Sequence, residues 1–308
     1  IYKNIGSIQN TGFEISISTT NVQTKSFQWN SAFNISFNQN KILSLTDDEK
    51  IMFTNVAFTS SWNSANLYVA EVGKPVASFY GLIWDGVYQI EDFDLLANGT
   101  YLLKPGITTN GWERNTIQPG DIKYKDINGD LVIDDKDKVV IGRGLPKHFG
   151  GFNNNFSYKN FSLNIFIQWN YGNHIMNANR IMFEGNITNR RGLNQFASYE
   201  DRWSFDNQDS KNFRTRGGGP VGYYSTKDLE DGSFVRLKTV QISYTLPRII
   251  KTVKSIELNV SAQNLYTWTK YTGIDPEVST KNSVLTPGFD YSAYPRNLTL
   301  AFGLKINL

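Results

Sequence analysis

Alternating apolar and polar residues mark seven segments of the chain as β-strands. The clearest is the last, in which every second residue from Leu298 to Leu308 is apolar. A period of two places successive side chains on opposite faces of a strand. The seven segments are residues 12–20, 26–38, 150–158, 160–170, 234–246, 255–265 and 298–308. In the fifth, the alternation changes phase near Lys238–Val240, which predicts a β-bulge.

The connections between these segments alternate in length without exception. In chain order they are residues 21–25, 39–149, 159, 171–233, 247–254 and 266–295. Transmembrane β-barrels have this pattern, with tight turns on the periplasmic side and long loops outside. The lengths of the segments also suit tilted membrane strands, which need roughly 9–11 residues. We therefore expect an all-β fold that is part of an antiparallel transmembrane barrel with long extracellular loops, the longest at about 39–149.

The composition supports a membrane barrel over a soluble β-sandwich, whose strands alternate as well. Aromatic residues make up 14% of the chain, and there are 33 asparagines. Charged residues are only 19%, against roughly 25% in ordinary soluble domains. The polar strand faces carry Asn, Ser, Gln and Thr more than Lys or Glu. The net charge of +3 gives no basic stripe and argues against a nucleic-acid partner.

The sequence offers no catalytic constellation, so we do not expect an enzyme. The chain has no cysteine and only two histidines, and no nucleophile elbow, zinc-protease motif or phosphate loop occurs. No apolar run reaches the length of a transmembrane helix. Residues 173–184 predict one short helix, and residues 216–220 predict a flexible glycine-rich turn. The odd number of strands and the first residue, Ile1, lead us to expect a piece of a longer protein.

The segment from Asp126 to Asp137 has the spacing of a calcium-binding loop. Oxygen ligands fall at positions 1, 3, 5, 7, 9 and 12 of such a loop. The corresponding residues are Asp126, Asn128, Asp130, Val132 through its carbonyl, Asp134 and Asp137. Two features depart from the pattern, because Leu131 stands where the turn needs Gly and Asp137 is shorter than the usual Glu. A structural calcium ion and a metal-free surface turn both remain open, and no other cofactor is expected.

Five aromatic residues of the longest loop are candidates for contact with a substrate. They are Trp62, Tyr80, Trp84, Tyr88 and Trp112. A flat apolar ring with a polar edge suits both stacking on sugars and gripping peptides. The alternative is that these rings pack the loop onto the barrel rim or belong to the aromatic girdle at the membrane interface.

The ordered set of local motifs resembles the C-terminal part of SusC/RagA-like TonB-dependent outer-membrane transporters. The matching stretches run from Asn4 to Glu14, Trp29 to Asn40, Gly73 to Pro75, Phe79 to Gly81, Asp85 to Gln89, Pro119 to Asp130, Arg202 to Trp203, Leu229 to Lys238, Gln263 to Trp268 and Gly273 to Glu277, with Gly142, Pro146 and Gly150–Gly151 between them. Each piece is weak alone, but their order covers essentially the whole chain.

This resemblance implies that residues 1–308 are the C-terminal segment of a barrel of the plugged, 22-stranded class. The plug and the segment that contacts TonB would then be absent from this chain. The family implies import of a bulky nutrient, an oligosaccharide first and a peptide second, through the outer membrane. It also implies a SusD-like surface lipoprotein as partner, energy from the TonB complex, and contact with outer-membrane lipid. A secreted β-sandwich that binds glycans and a passive porin-like channel are the competing hypotheses.

Overall fold

A computed structural model describes residues 6–46, 49–62, 64–184, 194–247, 253–280 and 283–307. The described residues contain 18 strands and one α-helix. The strands are β1 (Gly6–Gln23), β2 (Phe27–Leu45), β3 (Ile51–Asn55), β4 (Asn66–Glu71), β5 (Ser78–Gly81), β6 (Trp84–Val87), β7 (Phe93–Leu95), β8 (Tyr101–Leu103), β9 (Ile122–Tyr124), β10 (Val139–Arg143), β11 (His148–Tyr158), β12 (Phe161–Tyr171), β13 (His174–Asn177), β14 (Leu229–Asp231), β15 (Phe234–Leu246), β16 (Ser255–Thr269), β17 (Phe289–Asp290) and β18 (Thr299–Asn307), and the helix is α1 (Ala178–Phe183).

The seven predicted strands form one sheet, which we call the wall. Its order is β1-β2-β11-β12-β15-β16-β18, so each strand pairs with the next wall strand along the chain. All six pairings are antiparallel. Within the described residues, β1 and β18 pair on one side only and leave two open edges. A single sheet of this kind agrees with the predicted piece of a barrel, and the β-sandwich alternative, which needs two packed sheets, is wrong.

The register of the wall aligns the apolar residues of neighbouring strands into one continuous face. Across the sheet, Ile17 lies opposite Phe33, Phe33 opposite Phe152, and Phe152 opposite Ile167. The other face aligns neutral polar residues, for example Asn155 opposite both Asn30 and Asn164. Because a one-residue slip would exchange the two faces, this register fixes which side is apolar. The predicted difference between the faces is therefore present throughout the wall.

The predicted alternation of short and long connections is confirmed. Short connections at one end of the wall link β1 to β2, β11 to β12 and β15 to β16, and the long connections leave from the other end. The first two strands are longer than predicted, so the longest loop covers residues 46–147 instead of 39–149. The bulge is confirmed as well, because Lys238 has no partner in either ladder of β15.

The described parts of the long connections are not irregular loops but fold together, and we call the described residues of 46–147, 172–233 and 270–298 the loop assembly. It holds a sheet of order β10-β5-β4-β3, a sheet of order β14-β13-β17, and the pairs β6-β9 and β7-β8. The helix expected at 173–184 forms only over Ala178–Phe183, because His174–Asn177 pair as a strand with β14 and β17. None of the described helices is long and apolar enough to cross a membrane.

The hydrophobic core lies in the loop assembly. Four clusters of buried side chains are present among the described residues, and only Ile42 of their buried members belongs to the wall. The largest cluster joins all three connections, since it contains Phe79, Met176, Tyr224 and Phe289. The wall strands, in contrast, bury little between themselves and depend on their hydrogen-bonded ladders and on whatever covers their apolar face.

The loop assembly rests on the polar face of the wall at the end with the long connections. There Ile42 packs against Val76 and Ala77, and the Asn40 side chain accepts a hydrogen bond from the Val76 backbone N–H at 2.7 Å. Both Asn40 and Ile42 follow the polar phase of β2. The loops thus cover the mouth of the polar face and leave the apolar face open.

Candidate functional site in the loop assembly

The structure does not bring the five candidate aromatic residues together on one surface. Tyr88 is 0% exposed, and its hydroxyl donates to the Thr108 carbonyl at 2.6 Å. Tyr80 is half-buried against Phe53, with 5.0 Å between ring centroids. Trp84 donates from its indole N–H to the Gly86 carbonyl. These contacts hold the loop in shape, and a role of these residues in substrate contact stays a prediction.

The remaining two candidates, Trp62 and Trp112, line the same cavity. Its volume is about 190 Å³, and we call it the aromatic cavity. Further aromatic lining comes from Tyr124 and Tyr223, whose ring centroids lie 6.3 Å apart. The residues belong to different connections, so only the folded loop assembly creates this cavity.

One wall of the aromatic cavity is the glycine-rich run at 216–220. This segment is not the free turn that its composition predicts, because the Ile122 backbone N–H donates to the Gly217 carbonyl at 2.7 Å. Gly219 has φ +76°, and a Cβ there would approach Ile122 Cγ2 to 2.8 Å. A residue with a side chain would therefore be strained and would push the run away from β9. The glycines let the backbone itself form the cavity wall.

An ion pair between Arg214 and the buried carboxylate of Asp121 fixes the position of the same run. The Asp121 carboxylate is 0% exposed and lies 2.7 Å from Arg214 Nε. Burial raises the pKa of Asp121, although Arg214 and the Gln118 N–H act in the opposite direction. Removing Arg214 would leave an uncompensated buried carboxylate, which is strongly destabilising. The pair therefore holds residues 214–220 against β9.

Three charged residues that line the aromatic cavity, Arg180, Lys227 and Asp228, form a compact network with Glu184. Lys227 Nζ lies 3.1 Å from Glu184 and 3.8 Å from Asp228, and Arg180 Nε lies 3.0 Å from Glu184. Burial raises the pKa of Asp228, and the two cations act to lower it. For Glu184, burial acts to raise the pKa, but Lys227 and Arg180 outweigh burial and hold it below its ordinary value. Arg180 and Lys227 are thus largely neutralised by carboxylates of the loop assembly.

A second cavity lies on the other side of α1, with a volume of about 730 Å³. Its lining is rich in acceptors, including Glu184, Asp290 and Asn177. The Asn177 side chain is buried, and its oxygen has no hydrogen-bond partner among the described residues. Arg180 borders both cavities. The two cavities therefore share one structural element, α1, as their partition.

An ion-pair cluster that the sequence did not reveal ties the last long connection to the wall. Arg236 of β15 is 2% exposed and lies 2.6 Å from Asp275 and 2.7 Å from Glu277. Burial acts to raise the pKa of Asp275, but hydrogen bonds from Arg236 and from two backbone N–H groups hold it below its ordinary value. Both stretches stand out as motifs, yet a separation of 39 residues gives no local sign that they meet.

The acidic segment forms a compact turn whose carboxylates mainly accept backbone hydrogen bonds. Asp126 accepts from the N–H groups of Gly129 and Leu131, and Asp137 accepts from those of Ile127 and Asp134. Three more side chains accept in the same way, Asn128 from the N–H of Asp130, Asp130 from that of Val132, and Asp134 from that of Lys136.

The donor set of this turn fits a hard cation in type, but its geometry does not show one. Lys136 Nζ lies 3.4 Å from Asp134 and 3.9 Å from Asp130, so an ammonium group already balances part of the charge. Among the described residues, no group of three or more acidic or histidine side chains converges as metal ligands do. Calcium at Asp126, Asn128, Asp130, Val132, Asp134 and Asp137 stays a prediction.

Comparisons with known proteins agree with the architecture. TonB-dependent receptor P26 of Formosa agariphila is 32% identical over 99% of this chain. TonB-dependent receptor SusC of Bacteroides thetaiotaomicron is 25% identical over the same share. This chain spans only 29% and 27% of the lengths of these two relatives. No family model matches the chain.

Solved structures give the same fold. The RagAB peptide transporter superposes with a TM-score of 0.71 over 99% of this chain and 30% of its own chain, at 23% identity. The relatives are receptors and transporters, in agreement with the expectation that the chain is not an enzyme. The single sheet, its two contrasting faces and these relatives together show that the chain belongs to the TonB-dependent receptors, as the C-terminal part of a SusC/RagA-like outer-membrane β-barrel.

Proposed function

We propose that this chain is the closing wall and part of the extracellular mouth of an importer that carries a bulky nutrient across the outer membrane. The expected cargo is an oligosaccharide, and a peptide is the second candidate. A SusD-like surface lipoprotein would capture the cargo with it. The TonB complex would supply energy through parts of the protein that lie outside this chain.

The observation that carries this proposal is the centre of the polar face of the wall, where the side chains are neutral and form hydrogen bonds. The charged residues of the same face lie on the edge strand or toward the strand ends, and they are Glu14, Arg236, Glu257 and Lys305. The central positions are Asn34, Asn153, Asn155, Asn164, Gln168, Gln241, Ser261 and Gln263, which carry no charge. Side-chain amides also bond each other, as Asn164 does to Asn153 and Asn155 at 2.7 Å. A wall of neutral amides can exchange hydrogen bonds with hydroxyl or peptide groups without holding one ion tightly. This supports a large polar cargo over a small cationic one.

The loop assembly supports a protein partner at the mouth. It is cross-linked between connections, since Leu82 N–H donates to the Tyr224 carbonyl at 2.9 Å and the Tyr68 hydroxyl donates to the Pro287 carbonyl at 2.7 Å. Such a preformed surface loses little conformational entropy when another protein docks on it. A relative named SusC and a solved complex named RagAB make a lipoprotein of the SusD type the partner to test first.

Native mass spectrometry of the detergent-extracted complex tests the assembly. We expect a chain much heavier than 35.0 kDa that co-purifies with a lipoprotein. Uptake by cells that carry the full-length protein, measured on matched panels of glycans and peptides, then identifies the cargo class. Uptake of small charged solutes with no response to any glycan or peptide would overturn the proposal.

A protonophore separates energised import from the passive channel of the competing hypothesis. Collapse of the inner-membrane proton gradient should abolish uptake through a TonB-dependent importer and leave diffusion through an open channel unchanged. A strain that lacks the full-length gene sets the background. Uptake that survives the protonophore at full rate would favour the porin-like channel.

A further inference from the structure

The aromatic cavity presents hydrogen-bond donors that have no acceptor. The Trp62 indole N–H is buried and has no partner among the described residues. Within the described part of the chain, no hydrogen bond uses the hydroxyl of Tyr124 or Tyr223, and neither hydroxyl is a buried unpaired atom. Buried donors are nearly always paired in folded proteins, so the Trp62 N–H calls for an acceptor in the cavity, and the two unused hydroxyls are free to bind the same occupant.

The positive charge at the mouth of the cavity also favours an anionic ligand. Arg216 is exposed and lines the cavity, and the ion pairs of the described residues do not include it. The other two lining cations, Arg180 and Lys227, are engaged by Glu184 and by neighbouring carboxylates. Arg216 is therefore the cation that remains available to a ligand, and it can bind a planar anion through two N–H groups.

The size and shape of the aromatic cavity further restrict which ligand can occupy it. A volume of about 190 Å³ corresponds to roughly six water molecules, which is room for one sugar ring or one side chain but not for an oligomer. The lining ring of Trp112 offers a flat apolar face of the kind on which sugar rings stack, whereas Lys138 Nζ already lies over the Tyr223 ring, 5.1 Å from its centroid. The phenol groups stay protonated, because burial raises the pKa of both Tyr124 and Tyr223.

We propose that the aromatic cavity is a subsite for one anionic sugar unit, a uronate or a sulfated sugar, of the oligosaccharide cargo. This inference rests on the proposed import function and specifies its substrate class. Arg216 at the mouth would receive the anionic group, and the unused donors within would receive ring and hydroxyl oxygens. The polar face of the wall, which is neutral at its centre, would then let the cargo move on because no cation there binds its anionic groups.

Binding to the purified full-length complex in detergent tests the proposal by titration calorimetry. The probes are an oligogalacturonate and an uncharged oligogalactoside of the same length. We expect the wild-type complex to bind the oligogalacturonate more tightly, and more weakly as salt rises, because the contact with Arg216 is partly exposed.

The decisive variant is Arg216→Gln, and its matched control is Lys211→Gln. Both remove one exposed cation from the same connection, but Lys211 does not line the cavity. Arg216 has φ +65°, and Gln has the same backbone strain there, so the fold is preserved. We expect Arg216→Gln to lose about five- to tenfold in affinity for the oligogalacturonate, with no change for the uncharged probe and no effect of the control.

A second variant, Tyr223→Phe, removes one unused hydroxyl and keeps the ring. We expect a loss of about two- to fivefold for the oligogalacturonate. Equal losses for Arg216→Gln and Lys211→Gln, or tighter binding of an oligoglutamate than of the oligogalacturonate, would overturn the subsite. Uptake of uncharged glycans without preference for acidic ones would also overturn it and leave the import function standing, whereas no uptake of any glycan or peptide would remove both.

Discussion

The wall and the loop assembly place their apolar side chains in opposite surroundings, exposed on the wall and buried in the loop assembly. In the wall, Phe302 is 79% exposed and Phe13 is 58% exposed, on the face that a barrel turns toward lipid. In the loop assembly, Phe79 and Phe289 are both 0% exposed. The wall therefore needs a membrane to satisfy its apolar face, while the loop assembly carries its own core. Substitutions of similar size should consequently act through different surroundings in the two regions.

The largest expected effect tests the core of the loop assembly. Phe79→Ala should destabilise that region by about 3–5 kcal/mol, because it removes a fully buried ring and leaves a cavity. The wall should still assemble, since Phe79 lies outside it. Loop stability can be followed by limited proteolysis of the full-length protein in lipid, and wall assembly by resistance to unfolding in SDS without heating.

The control for this prediction is Phe302→Ala in the wall. The same truncation at a lipid-facing position leaves no cavity, so loop proteolysis should stay at the wild-type rate. If Phe79→Ala abolished the SDS-resistant wall as well, the two regions would fold as one unit, and the claim that the wall assembles independently of the loop core would be wrong.

The second prediction tests which face of the wall meets lipid. Val260→Arg places a charge on the apolar face, between Ile242 and Phe302, and should cost about 2–4 kcal/mol near the middle of the membrane. The neighbouring change Ser261→Arg places the same side chain on the polar face and should cost little. Folding into lipid vesicles under increasing urea measures both. A larger loss for Ser261→Arg would mean that the faces are reversed.

The same contrast explains how much could be predicted from sequence. The wall follows from a local rule, because a period of two in β2 or β18 identifies a strand and its faces without knowledge of any partner. Even the bulge at Lys238 is visible as a change of phase. The ends of the strands were harder to predict from the sequence, because the extension of β2 to Leu45 depends on its pairing with β1.

The loop assembly escaped prediction because its contacts join distant positions. Tyr68 bonds Pro287, which is 219 residues away, and no periodicity encodes such a pair. His174–Asn177 match the pattern of a helix but become a strand, since β14 and β17 supply partners on both sides. Composition did single out Trp62 and Trp112 as candidates, and both line the aromatic cavity. The unused donors and the free cation beside them appear only when the connections are folded together.

The third prediction concerns the ion-pair cluster that joins the two regions. Because the pKa of Asp275 is lowered in the folded protein, its contribution is present above the ordinary carboxyl pKa of about 3.9 and is lost as the pH falls below it. Charge-assisted bonds of this kind contribute about 1.5–3 kcal/mol. Acid should therefore release residues 273–277 from the wall while the core of the loop assembly persists.

A spin label measures this release. The chain has no cysteine, so Ile274→Cys, at a position 80% exposed, provides a labelling site in this chain. Val284→Cys, at an equally exposed position, provides one in the same connection away from the cluster, in which Arg296 also takes part. Label mobility at residue 274 should rise as the pH falls through the acidic range, with little change at residue 284. Adding Asp275→Asn should make residue 274 mobile at neutral pH as well. Immobility at all pH values in both would show that the cluster does not hold the connection.

The smallest effect is expected in the acidic turn, where Leu131 adopts φ +65° at the position that a calcium loop reserves for Gly. Leu131→Gly should stabilise the turn by about 0.5–1 kcal/mol, because it relieves left-handed backbone strain. Lys159→Gly is the matched control, since Lys159 has φ +51° in a turn of the wall. If the turn binds calcium, millimolar calcium should raise the unfolding midpoint of the loop assembly in wild type and more in Leu131→Gly, with no added response in the control. Absence of a calcium response in all three, with the strain relief intact, would assign the acidic residues to a metal-free turn.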